Sequence, residues 1–173
     1  MGIKVAIQGI QGSFHHQVAH RYFGEAIGLD ECVTFRDVAN SLKNNQSDKA
    51  IMAIENSIAG AILPNYALID SYDLHIIGEH FLDIHMNLMV LPGQTIEDIK
   101  EVHSHPIALL QCANFFSQYP HIKLVESSDT AITAKRIQEN QLRGIGALAG
   151  PVAANIYNLE IIADGIHTVK SNK

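Results

Sequence analysis

Short apolar runs alternate with amphipathic stretches along the first third of the chain. Residues 3–7 form an apolar run that predicts a strand, and apolar residues then recur at helical spacing from Phe14 to Tyr22. The same order returns twice, with predicted strands at 32–35 and 50–54 and a predicted helix after each, the last beginning near Ser57. Three repeats of this kind predict a mainly parallel sheet.

A β-rich stretch interrupts this alternation between residues 74 and 91, where two apolar runs predict an extended strand that crosses between two lobes. The alternation then resumes. The predicted strands cover 101–103, 122–125 and 144–149, and the predicted helices begin at Pro106, near Thr130 and at Pro151. Apolar residues 159–164 predict a last strand that returns to the first lobe.

These elements predict an α/β protein with two lobes, mainly parallel sheets and helices on both faces. We expect the first lobe to cover residues 1–78 and 160–173, and the second to cover 79–159. Two lobes joined by crossing segments leave a cleft, and clefts are preferred locations for small ligands. The pattern therefore predicts a small-molecule site in a cleft between the lobes.

Composition narrows the set of partners. The 173 residues carry a formal net charge of -6, and the basic residues are scattered, which speaks against nucleic acid or an anionic membrane. No apolar run approaches the roughly 18 residues that a membrane helix needs, and the first residues do not resemble a signal peptide, so we expect a cytoplasmic protein. Cys32 and Cys112 lie far apart among apolar neighbours, which favours two reduced, buried thiols.

Four turns between predicted strands and helices carry small or hydroxyl residues at the start of the helix. They cover residues 9–13, 55–60, 104–106 and 127–130. Backbone N–H groups at helix starts bind carboxylate or phosphate, so the four turns together predict a site for an anionic ligand. The alternative for any one of them is an ordinary helix N-cap, with the capping residue drawn from Ser13, Ser57, Ser104 and Asp129.

Several cofactor and metal patterns are incomplete. Gly9 and Gly12 lack the third glycine of a dinucleotide fingerprint, and no phosphate-binding Gly-Lys-Ser/Thr sequence is present, which speaks against nicotinamide and nucleotide cofactors. Two histidine pairs have spacings that can bind metal, but neither pair has an acidic or cysteine partner, so we predict no metal site. Among the ten histidines, His105 remains a candidate because it lies beside Ser104 at a helix start.

Two polar residues stand out in apolar surroundings. Glu55 follows an apolar strand, and burial there would raise its carboxyl pKa and make it a general acid; its alternative role is to accept hydrogen bonds from the adjacent turn. Gln111 lies on one helix face with Asn114 and Gln118, which is typical of a solvated stripe, although its position near the helix start would also let it reach the cleft.

Three motifs, in order along the chain, resemble those of prephenate dehydratases. They are Glu55-Asn56-Ser57-x-x-Gly60, Ser104-His105-Pro106 with Gln111-Cys112 after it, and Asp129-Thr130-Ala131. The resemblance extends from Gly9 to Asp164. It implies a two-lobed fold similar to type II periplasmic binding proteins, with prephenate between the lobes. It also implies loss of water and carbon dioxide from prephenate to give phenylpyruvate, without a cofactor.

The resemblance assigns roles by motif position. The implied catalytic residues are Glu55, Asn56, Ser104, His105, Gln111 and Thr130, and the implied substrate-binding residues are Gly12, Ser13, Ser57, Gly60 and Asp129. We also expect a homo-oligomer, either a dimer or a tetramer. Which residue donates the proton stays open at this point.

The chain departs from the family pattern in two places. In the first turn, Ile10 replaces a proline and His15 replaces a hydroxyl residue. The family's Thr-Arg-Phe motif and its phenylalanine-binding ACT domain are missing after the region of residues 164–167, which suggests a truncated chain with weak activity.

Two other functions fit the same pattern. Arogenate dehydratase differs only in the side chain of its substrate. A non-catalytic small-molecule binding protein can also use a two-lobed fold, because a fold does not determine a function. The carboxylate beside an amide at Glu55-Asn56, together with Gln111, favours the enzyme.

Overall fold

The computed structural model describes residues 2–173. It divides into two compact units, which are described separately below. Unit 1 comprises the residues up to Ile10, Phe14–Asp83 and Asn172–Lys173, and unit 2 comprises Gln11–Ser13 and Ile84–Ser171.

Unit 1 contains a three-stranded parallel sheet and a short hairpin. Its elements are β1 (Lys4–Gln8), α1 (Phe14–Phe23), β2 (Gly28–Cys32), α2 (Phe35–Lys43), β3 (Lys49–Ala50), β4 (Glu55–Asn56), β5 (Gly60–Ala61) and α3 (Leu63–Ser71). Strand β1 lies between β2 and β3, and its residues Val5, Ala6 and Ile7 are fully buried. Strands β4 and β5 pair only with each other, as an antiparallel hairpin.

Unit 2 contains a five-stranded mixed sheet in the order β10-β6-β9-β7-β8. Its elements are β6 (Asn87–Val90), a 3₁₀ turn (Ile96–Asp98), β7 (Glu101–Ser104), α4 (Pro106–Gln111), α5 (Ala113–Phe116), β8 (Lys123–Glu126), α6 (Thr130–Glu139), β9 (Ile145–Ala149), α7 (Pro151–Ile156) and β10 (Glu160–Ala163). Strand β7 is parallel to β8 and β9, whereas β6 is antiparallel to β9 and β10. Leu88, Val102, Ile137 and Leu148 are fully buried in its core.

The predicted α/β class with mainly parallel strands is confirmed, since four of the seven strand pairings are parallel. The strand predicted at 32–35 is wrong in position. Strand β2 ends at Cys32, and the Thr34 hydroxyl caps α2 by accepting from the Asp37 N–H at 3.1 Å. The actual strand contains Asp30 and Glu31, and such polar residues hide an edge strand from a hydrophobicity pattern.

The helix predicted from Ser57 is also wrong, because the hairpin β4–β5 occupies this stretch and α3 begins at Leu63. Gly60 adopts a φ of 78°, a left-handed conformation that reverses the chain at low cost for glycine. Of the predicted strand at 50–54 only Ala50 belongs to β3, and residues 74–86 lie outside the helices and strands.

The strand predicted at 159–164 is present as β10, but it joins the five-stranded sheet of unit 2. Strand β10 pairs antiparallel with β6, with Glu160 opposite Val90, so residues 160–171 belong to unit 2 rather than to the first lobe. The predicted lobe boundaries are corrected accordingly. Asn172 and Lys173 alone return to unit 1. Within residues 2–173, the helices are too short or too polar to cross a membrane.

Candidate active site

The hairpin of unit 1 carries the first motif. The Asn56 Oδ1 atom accepts hydrogen bonds from the N–H groups of Ile58 and Ala59, at 3.0 and 3.1 Å, and thereby fixes the shape of the turn. Glu55 lies beside it with an exposed side chain. The expectation that Glu55 is buried is therefore wrong, whereas its role as a general acid stays a prediction. An exposed carboxyl becomes a proton donor only where a bound ligand removes it from water.

Ser57 holds the last residues of the chain. Its N–H donates to the Lys173 carbonyl at 3.0 Å, and its hydroxyl oxygen accepts from the Lys173 N–H at 2.7 Å. Ser57 is thus not a helix N-cap, and its N–H group is already used within unit 1. This finding corrects the expectation that the turn leaves the N–H free for an anion.

We expect Ser57→Ala to loosen residues 172–173. The variant loses the hydroxyl that accepts from Lys173 N–H, and one such bond contributes about 1 kcal/mol, so amide exchange at Lys173 should speed up about fivefold. Amide hydrogen exchange measured by NMR tests this. Ser71→Ala, which removes an exposed hydroxyl elsewhere in unit 1, should leave Lys173 unchanged. Equal exchange rates in all three proteins would contradict the assignment.

In unit 2 the second motif follows strand β7. The buried Ser104 hydroxyl donates to the Leu148 carbonyl at 2.9 Å, so Ser104 links β7 to β9 and is not an N-cap. His105 caps α4 instead, because its Nδ1 accepts from the Ile107 N–H at 3.3 Å. A ring that accepts at Nδ1 is neutral and carries its proton on Nε2, which leaves an N–H donor available at that nitrogen.

The third motif follows strand β8. Asp129 caps α6, since its Oδ1 accepts from the N–H groups of Ala131 and Ile132 at 2.7 and 3.2 Å. The N-cap interpretation is confirmed for this residue. Thr130, the first residue of α6, is half-buried. Asn56, His105 and Asp129 thus bond N–H groups that the sequence pattern left free for an anion, which corrects that prediction.

The second and third motifs lie at one edge of the sheet. Strands β7 and β8 are parallel, so their carboxyl ends meet there, and the Ser127 N–H donates to the Ser104 carbonyl at 2.8 Å. Ser104, His105, Asp129 and Thr130 are therefore brought together. Glu55, Asn56, Ser57 and Gly60 share the hairpin of unit 1. A single cleft lined by both sets stays a prediction.

Gln111 is buried at the end of α4, whereas Asn114 and Gln118 are exposed. The predicted solvated stripe is wrong, because α4 ends at Gln111 and a separate helix, α5, begins at Ala113. The Gln111 carbonyl accepts from the Thr168 N–H at 2.8 Å, which ties this residue to the segment after β10.

Gly12 and Ser13 belong to unit 2 and are buried. Gly12 has a φ of 92° and lies against α7, where an added Cβ would be 3.2 Å from Ala153 Cα. The Tyr157 hydroxyl donates to the Gln11 carbonyl at 2.6 Å and fastens the same turn. The glycine is therefore required by backbone conformation and packing.

His15 occupies the position where the first turn departs from the family pattern. Its ring packs edge-on against Phe35, with 5.3 Å between ring centroids. Loss of hydration lowers the His15 pKa from 6.5 to about 4, against an opposing hydrogen bond with the Gln8 backbone. The imidazole is consequently neutral at pH 7.

We expect unit 1 to lose stability as the pH falls from about 6.5 to about 4. The unfolded chain binds a proton at His15 in this window and the folded chain does not, so the free energy of unfolding falls by up to about 1.4 kcal/mol per pH unit. His15→Ser should reduce this slope, and His121→Ser, at an exposed histidine, should not. Urea denaturation across the pH range measures both. Identical slopes for His15→Ser and the parent protein would contradict the prediction.

The two cysteines and His103 add no reactive group to the site. Burial raises the thiol pKa of Cys32 to about 11 and that of Cys112 to about 12, so both are protonated and unreactive at pH 7. His103 bonds Glu101 at 2.7 Å and Arg136 at 2.6 Å. Across residues 2–173 no three His, Cys, Asp or Glu side chains are grouped as a metal site requires.

The sequence pattern did not predict two buried polar residues of unit 2. They are Asn87 and His167. Asn87 gave a usable signal, because it and His85 are the polar residues inside the apolar run 84–91. His167 gave none, since one of ten histidines in an irregular segment matches no motif.

A comparison of the sequence with protein families identifies the family to which the three motifs belong. The family model for prephenate dehydratase matches residues 5–173. The chain belongs to the prephenate dehydratase family.

Two curated relatives match nearly the whole chain. It is 33% identical over 168 residues to the bifunctional chorismate mutase/prephenate dehydratase of Buchnera aphidicola subsp. Acyrthosiphon pisum (strain APS), covering 95% of this chain and 43% of the relative. It is 35% identical over 170 residues to arogenate dehydratase/prephenate dehydratase 1 of Arabidopsis thaliana. This match covers 98% of this chain and 43% of the relative. The chain therefore spans less than half the length of these relatives.

Two solved structures share the fold. Prephenate dehydratase from Arthrobacter aurescens, in complex with L-Phe, superposes with a TM-score of 0.87 at 25% identity, covering 98% of this chain and 57% of that chain. GqqA, described as a novel type of quorum quenching acylase, gives a TM-score of 0.85 at 27% identity, covering 96% and 60%. Since the two carry different names for their activity, the fold alone does not fix the reaction.

Proposed function

We propose that this chain acts as a prephenate dehydratase, which converts prephenate to phenylpyruvate. The observation that carries the proposal is the family match over residues 5–173, with the motif residues Glu55, Ser104 and Thr130 at strand ends and helix starts of the fold. The relatives' activities are those of longer proteins, so the reaction of this chain is our inference.

The reaction balances without an oxidant or a cofactor. The ring C–O bond breaks, and its hydroxyl leaves as water after receiving a proton. The bond between the ring and one carboxylate breaks at the same time, carbon dioxide leaves, and the electron pair of that bond enters the ring. The ring becomes aromatic, and this provides the driving force. The protein must hold two carboxylates and supply one proton.

We assign the proton to Glu55 in the first instance. Its side chain is exposed, so a ligand that covers it would remove it from water and favour the protonated carboxyl. Asn56 fixes the turn that carries Glu55. His105 is the alternative donor: as an imidazolium it would give one proton to the leaving hydroxyl and return to the neutral ring whose Nδ1 accepts from the Ile107 N–H. Gln111, Ser104 and Thr130 would orient the substrate.

Arogenate dehydratase is the second candidate, because relatives at 33–35% identity carry either or both activities in their names. Arogenate has an amino group where prephenate has a carbonyl, so the two substrates place different charges at that atom. We expect phenylpyruvate formation from prephenate to exceed phenylalanine formation from arogenate in kcat/KM. Assays of both substrates at matched concentrations test this, and the reverse ratio would make the protein an arogenate dehydratase.

Location and assembly are further parts of the proposal. We propose a cytoplasmic enzyme that acts on a small-molecule substrate as a dimer or tetramer, without nucleic acid or membrane partners. The scattered basic residues and the net charge of -6 support the absence of nucleic acid and membrane partners.

A further inference from the structure

Asn87 lies at the start of β6 and is fully buried. Its Oδ1 accepts from the Gly165 N–H at 2.7 Å, which fixes the orientation of the amide. The Nδ2 group is therefore turned away from this bond, and among residues 2–173 it meets no acceptor. A buried donor without an acceptor is destabilising, and each such group calls for an explanation.

His167 presents a second donor of the same kind. The residue is 1% exposed, and its Nδ1 accepts from the Met86 N–H at 3.3 Å. The neutral ring must then carry its proton on Nε2. That Nε2–H has no acceptor within the described part of the chain. Each side chain thus accepts from a backbone N–H at one atom and carries a buried donor at the other, without an acceptor among the residues that the structure describes.

The two donors belong to one cluster within unit 2. The Ile166 N–H donates to the Met86 carbonyl at 2.9 Å, so the segment after β10 runs beside the start of β6. The His167 ring packs edge-on to the His85 ring at 5.5 Å. His85 lies two residues before Asn87, just outside β6. Because His85 is exposed, the cluster reaches the surface there.

Lys170 and Asp164, of opposite charge, both act on the His167 ring. Lys170 donates through Nζ to the Gly165 carbonyl and acts on the His167 ring. Burial lowers the His167 pKa, and Lys170 and His85 lower it further, whereas Asp164 opposes them. Donors beside a cation favour an acceptor that carries negative charge, since charge-assisted hydrogen bonds are about twice as strong as neutral ones.

We propose that Asn87 and His167 form a subsite for one carboxylate of the substrate. The proposal rests on the proposed function, in which the substrate carries two carboxylates. One carboxylate accepts from Asn87 Nδ2 and His167 Nε2, with Lys170 balancing its charge. The subsite adjoins a motif residue, because the Thr168 N–H next to His167 donates to the Gln111 carbonyl.

Asn87→Asp tests the subsite directly. The variant keeps Oδ1 for the Gly165 N–H but replaces the donor with a negative oxygen. We expect the Kd for prephenate, measured by calorimetry, to rise about 10- to 100-fold. Asn140→Asp, the same change at an exposed residue at the end of α6, should change the Kd less than about twofold. A folded Asn87→Asp protein that binds prephenate like the parent would overturn the proposal.

An NMR titration separates this subsite from the proposed function. In the unsubstituted protein, acetate should shift the signals of Asn87 Nδ2 and His167 Nε2, while the exposed His121 ring should not respond. If prephenate binds and neither signal moves, the subsite is wrong and the proposed function stands. If prephenate does not bind but acetate saturates both signals, the subsite stands and the proposed function fails.

Discussion

Replacing Glu55 by glutamine is expected to lower kcat for phenylpyruvate formation about 10²-fold or more, with little change in KM. Glutamine keeps the size and hydrogen-bonding capacity of the side chain but cannot deliver a proton to the leaving hydroxyl. Proton transfer by a positioned side chain contributes typically about 10²- to 10⁴-fold. Glu55 is exposed on β4, so the substitution should leave stability within about 0.5 kcal/mol of the parent.

The matched control is Glu139→Gln, at an exposed carboxylate at the end of α6. It removes the same charge and should leave kcat unchanged. Steady-state kinetics on prephenate compare the three proteins. If Glu55→Gln retains full kcat, the proton comes from another residue, and His105→Gln becomes the decisive variant because the His105 imidazolium is the remaining assigned donor.

Gly12→Ala is expected to destabilise the protein by about 2–5 kcal/mol. At a φ of 92° an L-residue is strained by about 1–2 kcal/mol, and the new methyl group would lie 3.1 Å from Tyr157 Cε2 and 3.2 Å from Ala153 Cα. The second contact is to backbone, so α7 would have to shift, and overpacking of this kind costs about 1–3 kcal/mol more.

Gly93→Ala separates the two contributions. Gly93 has a φ of 78°, but an added Cβ would meet nothing within 4 Å, so this variant should lose only about 1–2 kcal/mol. Urea denaturation of the two variants gives the difference. Equal losses would show that the turn does not pack against α7 as described. A stable Gly12→Ala protein that no longer binds prephenate would return Gly12 to a substrate-binding role.

Elements with strong local signals could be predicted from the sequence. Pro106 and Pro151 mark the beginnings of α4 and α7, because proline is tolerated in the first turn of a helix, and Asp129 caps α6 through its own side chain. These signals act within a few residues. They gave the order of strands and helices after residue 92 and the positions of the second and third motifs.

Features that depend on distant parts of the chain could not be predicted in this way. The residues of β10 do not show whether this strand joins the sheet of unit 1 or that of unit 2. Its pairing with β6 places it in the sheet of unit 2. The hairpin at Glu55 was hidden because the Asn56 side chain and Gly60 together make a turn where the composition favours a helix start. The same holds for Gln111, which became buried because α4 stops at that residue.

The candidate site was predicted by motif and corrected by geometry. Ser104 ends β7, and Thr130 begins α6 four residues after the end of β8, the parallel neighbour of β7. Several N–H groups that were expected to be free at the turns, those of Ala59, Ile107 and Ala131, are bonded by capping side chains. The burial and bonding of Asn87 and His167 could not be predicted from the sequence, because both depend on hydrogen bonds between residues about 80 positions apart.

The central claim, that this chain dehydrates and decarboxylates prephenate, is tested most directly by following both products at neutral pH. We predict that the protein, dialysed against a chelator, releases one carbon dioxide for each phenylpyruvate formed, at a rate far above that of prephenate alone in the same buffer. Prephenate that binds to the protein and is recovered unchanged would contradict the claim and make the chain a binding protein built on the same fold.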